Sequence, residues 1–308
     1  MYDLIILGGS AAGVSAAIYA ERRKLKVKLV SGDIGGEIAV SNIIENYPGY
    51  QSITGPELAA KLKEQLEFNQ VPLDLGWLAQ SLKKEGSIFK ITAKNYSDEV
   101  RQYEARAVLV ATGVKPKRLG VPGEAEFDRK GITWCATCDG PLFKNKPVAV
   151  VGGGNSALDS ALMMGEIASQ VYLINKNPGF KGEQVLIDKV LAHPKIKIIY
   201  EAKTTKIIGE KFVTGLEYEE IKTKKRQNLT VQGVIINIGY LSNSGFIEGV
   251  TTDPAGQIIA NQIGETNIPG LYAAGDVTNV PYKQIVIAAG MGVLAALSAI
   301  DYLNKSKN

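Results

Sequence analysis

The 308 residues include 45% apolar and 21% charged residues and carry a net charge of +4, ordinary values for a globular chain of one or two domains. So small a charge gives no reason to expect a nucleic-acid partner. We find neither an apolar run near the ~18 residues of a membrane span nor a signal-peptide core, so we expect a cytoplasmic protein without a membrane partner. Two cysteines and one histidine are too few for a structural zinc site, and we expect no metal.

The first 30 residues follow a strand–helix–strand pattern. A short apolar run at 2–7 leads into a glycine-rich turn at 8–13, apolar residues then recur at helical spacing from Val14, and residues 26–30 alternate as in a strand. The same pattern returns at 147–175, with a strand, a glycine-rich turn at 152–157, a helix and a second strand. The repetition predicts two nucleotide-binding units in one chain.

Further elements lie between and after these units. We predict strands at 87–93, 107–111, 195–200, 212–218 and 229–238, and helices at 55–68, 183–191 and 284–303. His193, in a Leu-Ala-His-Pro sequence, is interpreted as a surface loop residue. Gly, Pro and Ser cluster near 113–116 and 239–243, where we place hinges. The pattern predicts an α/β protein whose second unit is inserted into the first.

The two glycine-rich turns have the spacing of a dinucleotide fingerprint. Such a turn lets the backbone approach a pyrophosphate, and the following helix offers unpaired N–H groups and a partial positive charge. The fingerprint positions are Gly8, Ser10 and Gly13 in the first turn and Gly152, Gly154 and Ala157 in the second. A structural turn would explain either one alone. Two of them, each between a strand and a helix, favour nucleotide binding.

Neither unit shows a clear acidic residue about 20 positions after its turn, where one would bind a ribose hydroxyl. After the second unit, Asn175 can bond a ribose hydroxyl, and Lys176 and Lys181 can meet a 2′-phosphate as point charges. The alternative for both lysines is a solvated surface, and the sequence leaves the two interpretations nearly equal.

The two cysteines form a CxxC motif, Cys135 and Cys138, followed directly by Asp139. In a chain with strand–helix–strand patterning, this spacing indicates a redox dithiol, because one thiolate can attack a partner disulfide and the other can resolve the mixed disulfide. Asp139 is a candidate proton carrier. The pair could instead be half of a metal site, but the chain lacks the further ligands that such a site needs. It could also be two unrelated buried cysteines, but that would not account for their tight spacing.

Several ordered motifs together resemble the low-molecular-weight thioredoxin reductases, which are class II flavoprotein disulfide reductases, along essentially the whole chain. The chain is also similar to the reductase core of the alkyl hydroperoxide reductase flavoprotein. The motifs that carry the resemblance are the two glycine turns, Gly35-Gly36, Glu45-Asn-Tyr-Pro-Gly49, Ala111-Thr-Gly113, the Cys135–Gly140 segment, Ala273-Ala-Gly-Asp-Val277 and Val280-Pro-Tyr-Lys-Gln-Ile285.

The resemblance implies two Rossmann-like, three-layer ββα domains. An FAD-binding domain would comprise residues 1–114 and 241–308, and an NAD(P)H-binding domain carrying the CxxC centre would comprise residues 115–240. The residues expected to bind FAD or NADPH/NADH are Gly8, Ser10, Gly13, Gly35, Gly36, Asn46, Thr112, Gly113, Gly152, Gly154, Asn155, Ser156, Ala157, Lys176, Lys181, Gly275, Asp276 and Gln284.

The resemblance also implies residue roles. Asp276 would contact the ribityl region of FAD, and Gln284 would lie beside the isoalloxazine ring. Cys138 would face the flavin, Cys135 would attack the disulfide of a thioredoxin-like or glutaredoxin-like protein, and Asp139 would act as the acid/base. The family's reductases are homodimers that alternate between two domain orientations, so we expect a homodimer.

Four departures from the family pattern concern the cofactors. Ser10 replaces a Gly, Glu37 replaces a Gln, and Ser242 replaces a Pro. The His-Arg-Arg…Arg element that grips the NADPH 2′-phosphate is absent, since its positions hold Asn175, Lys176, Asn177 and Lys181. The donor is therefore open between NADPH, NADH and, as in some relatives, ferredoxin, although the intact second glycine turn disfavours ferredoxin.

Two further alternatives concern the role of the protein. It can be the reductase component of a peroxiredoxin system; because the chain starts at the FAD strand, we expect any extra dithiol domain of such a system to be a separate protein. It can also be a flavin-containing redox sensor without turnover, which would not need the second nucleotide turn.

Overall fold

The chain folds as two compact units, and the second interrupts the first in sequence. The computed structural model describes residues 1–41 and 43–305. The first unit comprises Met1–Lys115 and Tyr240–Asn308, and the second comprises Pro116–Gly239. The junctions therefore lie at 115/116 and 239/240, where the sequence predicted 114/115 and 240/241. The predicted fold class is confirmed, because each unit is built on a sheet with a parallel, Rossmann-like centre.

Within the described residues, the first unit contains a seven-stranded sheet in the order β5–β2–β1–β8–β7–β6, with β19 paired to β8. Two small ladders, β3–β4 and β9–β18, accompany it. The strands are β1 (Tyr2–Leu7), β2 (Val27–Ser31), β3 (Ile43–Ile44), β4 (Ile53–Thr54), β5 (Leu73–Leu75), β6 (Trp77–Glu85), β7 (Ile88–Asn95), β8 (Val100–Val110), β9 (Val114–Pro116), β18 (Tyr240–Ser242) and β19 (Leu271–Ala273).

In the described part of this unit, three helices cover the sheet: α1 (Ala11–Arg22), α2 (Gly55–Phe68) and α6 (Ile285–Lys305). α2 begins where the sequence predicts, because Thr54 and Glu57 form a reciprocal capping box and a proline occupies the first turn. β8 takes part in both the antiparallel and the parallel part of this sheet. Its first half pairs antiparallel with β7, and its second half pairs parallel with β1 and β19. The carboxyl ends of β1, β8 and β19 consequently meet at one edge.

The second unit combines a five-stranded parallel sheet, in the order β10–β17–β11–β12–β13, with a three-stranded antiparallel sheet, β14–β15–β16. Its strands are β10 (Ile132–Thr133), β11 (Pro147–Gly152), β12 (Gln170–Ile174), β13 (Ile196–Ile199), β14 (Ala202–Gly209), β15 (Val213–Glu220), β16 (Arg226–Thr230) and β17 (Gly233–Asn237). Its helices are α3 (Ala136–Asp139), α4 (Asn155–Ile167) and α5 (Gln184–Ala192).

Two strand predictions need correction, and several strands were not predicted. The predicted strand 229–238 is two strands, β16 and β17, since residues 231–232 leave one sheet and enter the other. The predicted strand 107–111 is only the buried end of the longer β8. The longest of the strands that were not predicted are β6 and β14, whose exposed faces carry mixed polar residues that break the apolar signal.

His193 lies directly after the last residue of α5, as the loop interpretation predicted, but it is half-buried. Its side chain is 15% exposed, and its ring packs against Gly165, where an added Cβ would lie 2.6 Å from the ring. Its Nε2 lies 3.3 Å from Glu166 Oε1, and its Nδ1 accepts the Lys195 N–H at 3.2 Å. Its contacts give His193 a role in joining α4 to the turn after α5.

The expectation that no segment is apolar and long enough for a membrane span is wrong for α6. The helix has 21 residues and a mean hydropathy of 1.9 over its best window, of which 33% is buried inside the protein. α6 packs closely on α1, since a Cβ at Gly292 would lie 2.1 Å from Ala12 O. One such helix is weak evidence for a membrane span, because the core helix of a globular unit has the same length and composition.

Candidate functional site

The first glycine-rich loop joins β1 to α1 at the carboxyl edge of the first sheet. Gly8 has φ +115°, and a Cβ there would lie 2.2 Å from Ala111 O. A Cβ at Gly13 would lie 1.8 Å from Gly8 O. Neither position has room for a side chain, so the loop presents backbone to a ligand. α1 begins at Ala11 without a side-chain cap, which leaves N–H groups for an anion.

The Gly35-Gly36 segment is held against this loop by two hydrogen bonds, and a third fixes the segment internally. The Gly35 N–H donates to Gly9 O at 2.8 Å, and the Ser10 hydroxyl donates to Gly35 O at 2.6 Å. The Gly36 N–H donates to Asp33 Oδ1 at 2.9 Å. The serine that departs from the glycine fingerprint therefore joins the two segments. The structure brings together five predicted cofactor residues: Gly8, Ser10, Gly13, Gly35 and Gly36.

Thr112 and Gly113, at the end of β8, are clamped by a residue that the sequence analysis missed. The Thr112 hydroxyl donates to Asn243 O at 2.7 Å, and the Asn243 side-chain amide donates to Thr112 O at 2.9 Å. The Asn243 N–H also donates to Gly113 O at 3.1 Å. Ser242, which stands in place of the family's Pro, donates its hydroxyl to Val277 O at 3.1 Å. The predicted hinge at 239–243 was the available signal for Asn243.

Asp276 lies in a short 3₁₀ turn, Gly275–Val277, just after β19. Burial raises the pKa of Asp276 to about 6, although the neighbouring Lys283 opposes the shift. Burial also lowers the pKa of Lys283, whose ammonium donates to Thr278 O at 2.8 Å. The sequence analysis did not single out Lys283, which precedes the predicted flavin contact Gln284 by one residue. This edge of the first sheet thus holds a partly buried acid and a partly buried base.

Asn46 and Gln284 are brought together from distant parts of the sequence. The Asn46 side-chain amide donates to Gln284 Oε1 at 3.3 Å across 238 residues of chain. Both were predicted to contact FAD. Their contact and the shared edge of β1, β8 and β19 place the predicted residues of the first unit in one region, while the role of each stays a prediction.

The second glycine-rich loop joins β11 to α4 and repeats this geometry. A Cβ at Gly152 would lie 2.2 Å from Asn237 O, whereas a Cβ at Gly154 would meet nothing within 4 Å. α4 begins at Asn155 and has no side-chain cap on its first turn. The Lys181 N–H donates to Gly153 O at 2.7 Å, which fixes the following loop beside the glycines.

The three predicted nucleotide contacts on the first turn of α4 have different surroundings. The Asn155 side chain donates to Glu183 Oε1 at 3.2 Å and accepts the Glu183 N–H at 2.8 Å. Ser156 is exposed, while Ala157 is fully buried in the core of this unit. Asn155 and Ser156 are thus both exposed, and Asn155 also shapes the rim of the loop through Glu183.

Asn175 has a different role from the one the sequence suggested. It is only 1% exposed, its Oδ1 accepts the Asn177 N–H at 3.0 Å, and its Nδ2 donates to Gly179 O at 2.9 Å. Both polar atoms of the side chain thus hold the loop that follows β12, so we no longer assign it a ribose contact. Lys176 and Lys181, on the same loop, are exposed.

Cys135 and Cys138 form a disulfide across the first turn of α3, with their Cα atoms 5.3 Å apart. The Cys138 N–H also lies 3.1 Å from Cys135 Sγ. Ala136, between them, is buried in the same core as Ala157 of the second glycine-rich loop. The dithiol and the second loop are therefore parts of one unit, and Cys138 is exposed.

Comparisons with known proteins agree with this arrangement. The family of pyridine nucleotide-disulphide oxidoreductases matches residues 2–292. The chain is 38% identical over 98% of its length to a subunit of the alkyl hydroperoxide reductase of Pseudomonas putida, and it spans 58% of that relative. The thioredoxin reductase of Streptococcus pyogenes superposes with a TM-score of 0.88 at 34% identity, with 99% of each chain covered. A ferredoxin-flavin thioredoxin reductase of Clostridium acetobutylicum gives 0.54 at 30% identity, covering 99% of this chain and 98% of that one.

The chain belongs to the pyridine nucleotide-disulphide oxidoreductase family. This family agrees with the redox dithiol that the CxxC motif predicted and with the nucleotide binding that the two glycine-rich loops predicted. It spans about three fifths of the length of the curated relatives that it matches.

The residues of the first unit fit an FAD. Gly8 and Gly13 have no space for a Cβ, so the loop can approach a pyrophosphate closely. Ser10 is directed to Gly35 O by its hydrogen bond and therefore does not compete for that approach. The open space at Gly154 gives the second loop the same capacity for a pyridine nucleotide.

Proposed function

We propose that the protein passes electrons from NADPH or NADH, through FAD, to the Cys135–Cys138 disulfide and then to a thioredoxin-like or glutaredoxin-like protein. The observation that carries this proposal is the disulfide at the start of α3, in the unit that also holds the second glycine-rich loop. When bound, FAD supplies the hydride and electron transfer.

Each loop has a defined task in this proposal. The first loop and the Gly35-Gly36 segment hold the FAD pyrophosphate through backbone N–H groups, with Asp276 toward the ribityl chain. The second loop holds the nucleotide pyrophosphate, and Lys176 and Lys181 supply positive charge for a 2′-phosphate.

The reduced dithiol then acts by thiol–disulfide exchange. The Cys135 thiolate attacks one sulfur of the partner disulfide, which forms a mixed disulfide and releases the partner's other sulfur as a thiolate that takes up a proton. The Cys138 thiolate next attacks Cys135 Sγ, so the internal disulfide reforms and the second partner sulfur leaves and is protonated. Two electrons pass to the partner, and Asp139 transfers to the partner's leaving thiolates the two protons that the Cys135 and Cys138 thiols give up.

A second candidate is the reductase of a peroxiredoxin system, favoured by the 38% identity to the alkyl hydroperoxide reductase of Pseudomonas putida. In that case the dithiol would reduce a dithiol carrier that serves the peroxidase. Comparing the rates with which the reduced protein transfers electrons to a thioredoxin and to a carrier of that system separates the two candidates.

We further propose a cytoplasmic homodimer without nucleic-acid or membrane partners. Support for the dimer comes from α6, whose side chains Val286 and Leu294 are 47% and 46% exposed in a single chain. Sedimentation of the purified protein tests the dimer, since a single species of monomer mass would contradict it.

The electron donor is tested by anaerobic mixing. We expect NADPH to bleach the visible flavin band faster than NADH, because Lys176 and Lys181 follow β12 and no carboxylate lies between β12 and Lys181. Full bleaching by dithionite, with none by either nucleotide, would replace this donor by ferredoxin, the donor in the name of the Clostridium acetobutylicum enzyme. Cys135→Ser must abolish turnover of a protein disulfide; an unchanged rate would overturn the proposed role of the dithiol.

A further inference from the structure

Thr133 stands between the two groups that the exchange reaction uses. It ends β10 and is only 4% exposed. Its Oγ1 accepts the Cys135 N–H at 3.1 Å and donates to Asp139 Oδ2 at 2.5 Å. One hydroxyl therefore connects the backbone of the cysteine that attacks with the carboxylate that carries the proton.

The direction of the bond from Cys135 is fixed by chemistry. A backbone N–H can only donate, so the Thr133 oxygen is the acceptor from Cys135. The single hydroxyl proton is then available to Asp139, whose Oδ2 accepts it when the carboxyl is ionised or carries its proton on Oδ1. With Oδ2 engaged, Oδ1 is the oxygen that can take up and release a proton.

The hydroxyl itself is anchored in the sheet. Thr133 pairs in register with Ile235 of β17, and its neighbour Ile132 pairs with Val234. α3 is only four residues long and follows directly, and the Asp139 N–H donates to Cys135 O at 3.0 Å. A short helix has few bonds of its own to hold it, so the bond to Thr133 ties the Asp139 side chain to the rigid sheet.

We propose that Thr133 is a positioning residue for thiol–disulfide exchange, which holds the Asp139 carboxylate so that its free oxygen reaches the leaving thiolate. The inference rests on the proposed function, and it adds a residue that neither the CxxC motif nor its Asp indicates. The reaction keeps its balance, since Thr133 neither gains nor loses a proton over the cycle.

The test uses matched substitutions in the FAD-loaded protein. Thr133→Val removes the hydroxyl at almost constant volume, Thr133→Ser retains it, and Thr133→Ala removes it with less bulk in case the valine disturbs folding. Thr204→Val is the control, because Thr204 is a threonine of the same unit, also 4% exposed, whose Oγ1 has no hydrogen-bond partner among the described residues. Thermal unfolding and bound flavin verify the fold of each variant.

The reaction is followed after reduction with dithiothreitol and anaerobic desalting, without nucleotide. Two probes are compared: glutathione disulfide, whose leaving thiolate is basic, and an aromatic disulfide dye, whose leaving thiolate is acidic. A low-pKa thiolate leaves without acid assistance, so only the first probe depends on a positioned proton donor. Alkylation at timed intervals and mass measurement report the oxidation of the Cys135–Cys138 pair.

We expect Thr133→Val and Thr133→Ala to slow exchange with glutathione disulfide about tenfold, a barrier increase of about 1.4 kcal/mol, and to leave exchange with the dye unchanged. Thr133→Ser and Thr204→Val should retain the original rates. Combined with Asp139→Asn, Thr133→Val should add no further loss, because both changes remove the same acid.

Three results would overturn the inference: an original rate in Thr133→Val, an equal loss with both probes, or losses that multiply in the double variant. Cys135→Ser separates this failure from failure of the proposed function. If Cys135→Ser exchanges at the original rate, the dithiol mechanism itself is wrong. If Cys135→Ser is inactive while Thr133→Val is normal, only the role of Thr133 is wrong.

Discussion

The two glycine-rich loops share one backbone arrangement but have different neighbouring residues. In each, the carbonyl of the second glycine accepts a backbone N–H from the segment that follows the next strand: Gly9 from Gly35 at 2.8 Å, and Gly153 from Lys181 at 2.7 Å. In the first unit that segment brings two glycines with positive φ, and in the second it brings a lysine. The same scaffold therefore offers bare backbone at one site and a positive charge at the other.

The two sites also differ in the burial of their charged residues. The first site places Asp276 and Lys283 in partly buried positions, where burial shifts the pKa of each toward its neutral form. The second leaves Lys176 and Lys181 exposed. A buried acid and base suit a cofactor that stays bound, and exposed lysines suit a nucleotide that must leave after each turnover.

The largest expected effect comes from a substitution at the last fingerprint position, where the residues of the two loops differ. Gly13 in the first loop corresponds to Ala157 in the second. Because a Cβ at Gly13 would lie 1.8 Å from Gly8 O, we expect Gly13→Ala to destabilise the first unit by about 3 kcal/mol, the upper end for overpacking, and to lower the bound FAD. Bound flavin absorbance and urea unfolding measure both.

Ala157→Gly is the matched change in the second loop. It creates no clash, and we expect it to cost only about 1 kcal/mol from helix propensity, with full FAD content. If Gly13→Ala also kept its flavin and its unfolding midpoint, both loops would tolerate a Cβ at their last fingerprint position, and the predicted difference between the loops would be wrong.

The next effect concerns the pH dependence of the first site. The folded protein raises the pKa of Asp276 from 3.8 to about 6, so the folded state binds more protons than the unfolded chain between these values. Stability from this group is therefore present below about pH 4 and is lost as the pH rises through 6. In the flavin-free protein, we expect this group to lower the free energy of unfolding by ~2 kcal/mol between pH 4 and pH 7, and we expect Asp276→Asn to abolish that decrease.

Urea unfolding of both proteins at pH 4 and pH 7 measures the change. Asp276→Glu is the control, since it retains a titrating carboxyl. An identical pH dependence in the original protein and in Asp276→Asn would show that burial does not hold a proton on this acid.

Much of this comparison was predictable from local sequence. The fingerprints at 8–13 and 152–157 follow apolar strands and precede helical spacing, so both loops and the inserted unit could be located. α2 was predicted with its observed bounds because Thr54, Pro56 and Glu57 specify its beginning chemically. The CxxC motif likewise needs no tertiary information.

The parts that were missed depend on contacts between distant residues. Asn243 clamps Thr112 across 131 residues, and Lys283 acquires its shifted pKa only from burial beside Asp276. Asn175 was misassigned because its polar side chain suggested a ligand contact, while the fold uses both of its polar atoms to hold a loop. The spacing of a motif identifies candidate residues, but it does not show which of their polar atoms form hydrogen bonds within the fold.

A smaller effect tests the charge of the second site. We expect Lys181→Gln to raise the KM for NADPH about fivefold and to leave the KM for NADH unchanged, because an exposed charge contributes about 1 kcal/mol to a phosphate contact. The backbone N–H that binds Gly153 O is retained in this variant, so the loop stays in place. High salt should reduce the difference.

Lys181→Arg is the matched variant that retains the charge and should keep the preference for NADPH. An equal rise in KM for both nucleotides would mean that Lys181 shapes the loop and does not read the 2′-phosphate.

The smallest expected effect exchanges the middle residues of the loops, Ser10 and Gly154. Ser10→Gly removes the hydroxyl that donates to Gly35 O at 2.6 Å and should cost about 1 kcal/mol, with a matching fall in FAD affinity. Gly154→Ser places its Cβ where nothing lies within 4 Å, and the backbone there has φ −103°, so stability should change by less than about 0.5 kcal/mol. Unfolding midpoints of the two variants measure this asymmetry.

Nucleotide affinity supplies the second half of this comparison. A hydroxymethyl group at position 154 would occupy the space through which a pyrophosphate approaches, so Gly154→Ser should weaken nucleotide binding without weakening the fold. The serine at position 10 avoids this conflict only because Gly35 draws its hydroxyl away from the approach. If Gly154→Ser bound nucleotide as well as the original protein, the open space at Gly154 would not be the path of the pyrophosphate, and the second loop would bind its ligand differently from the first.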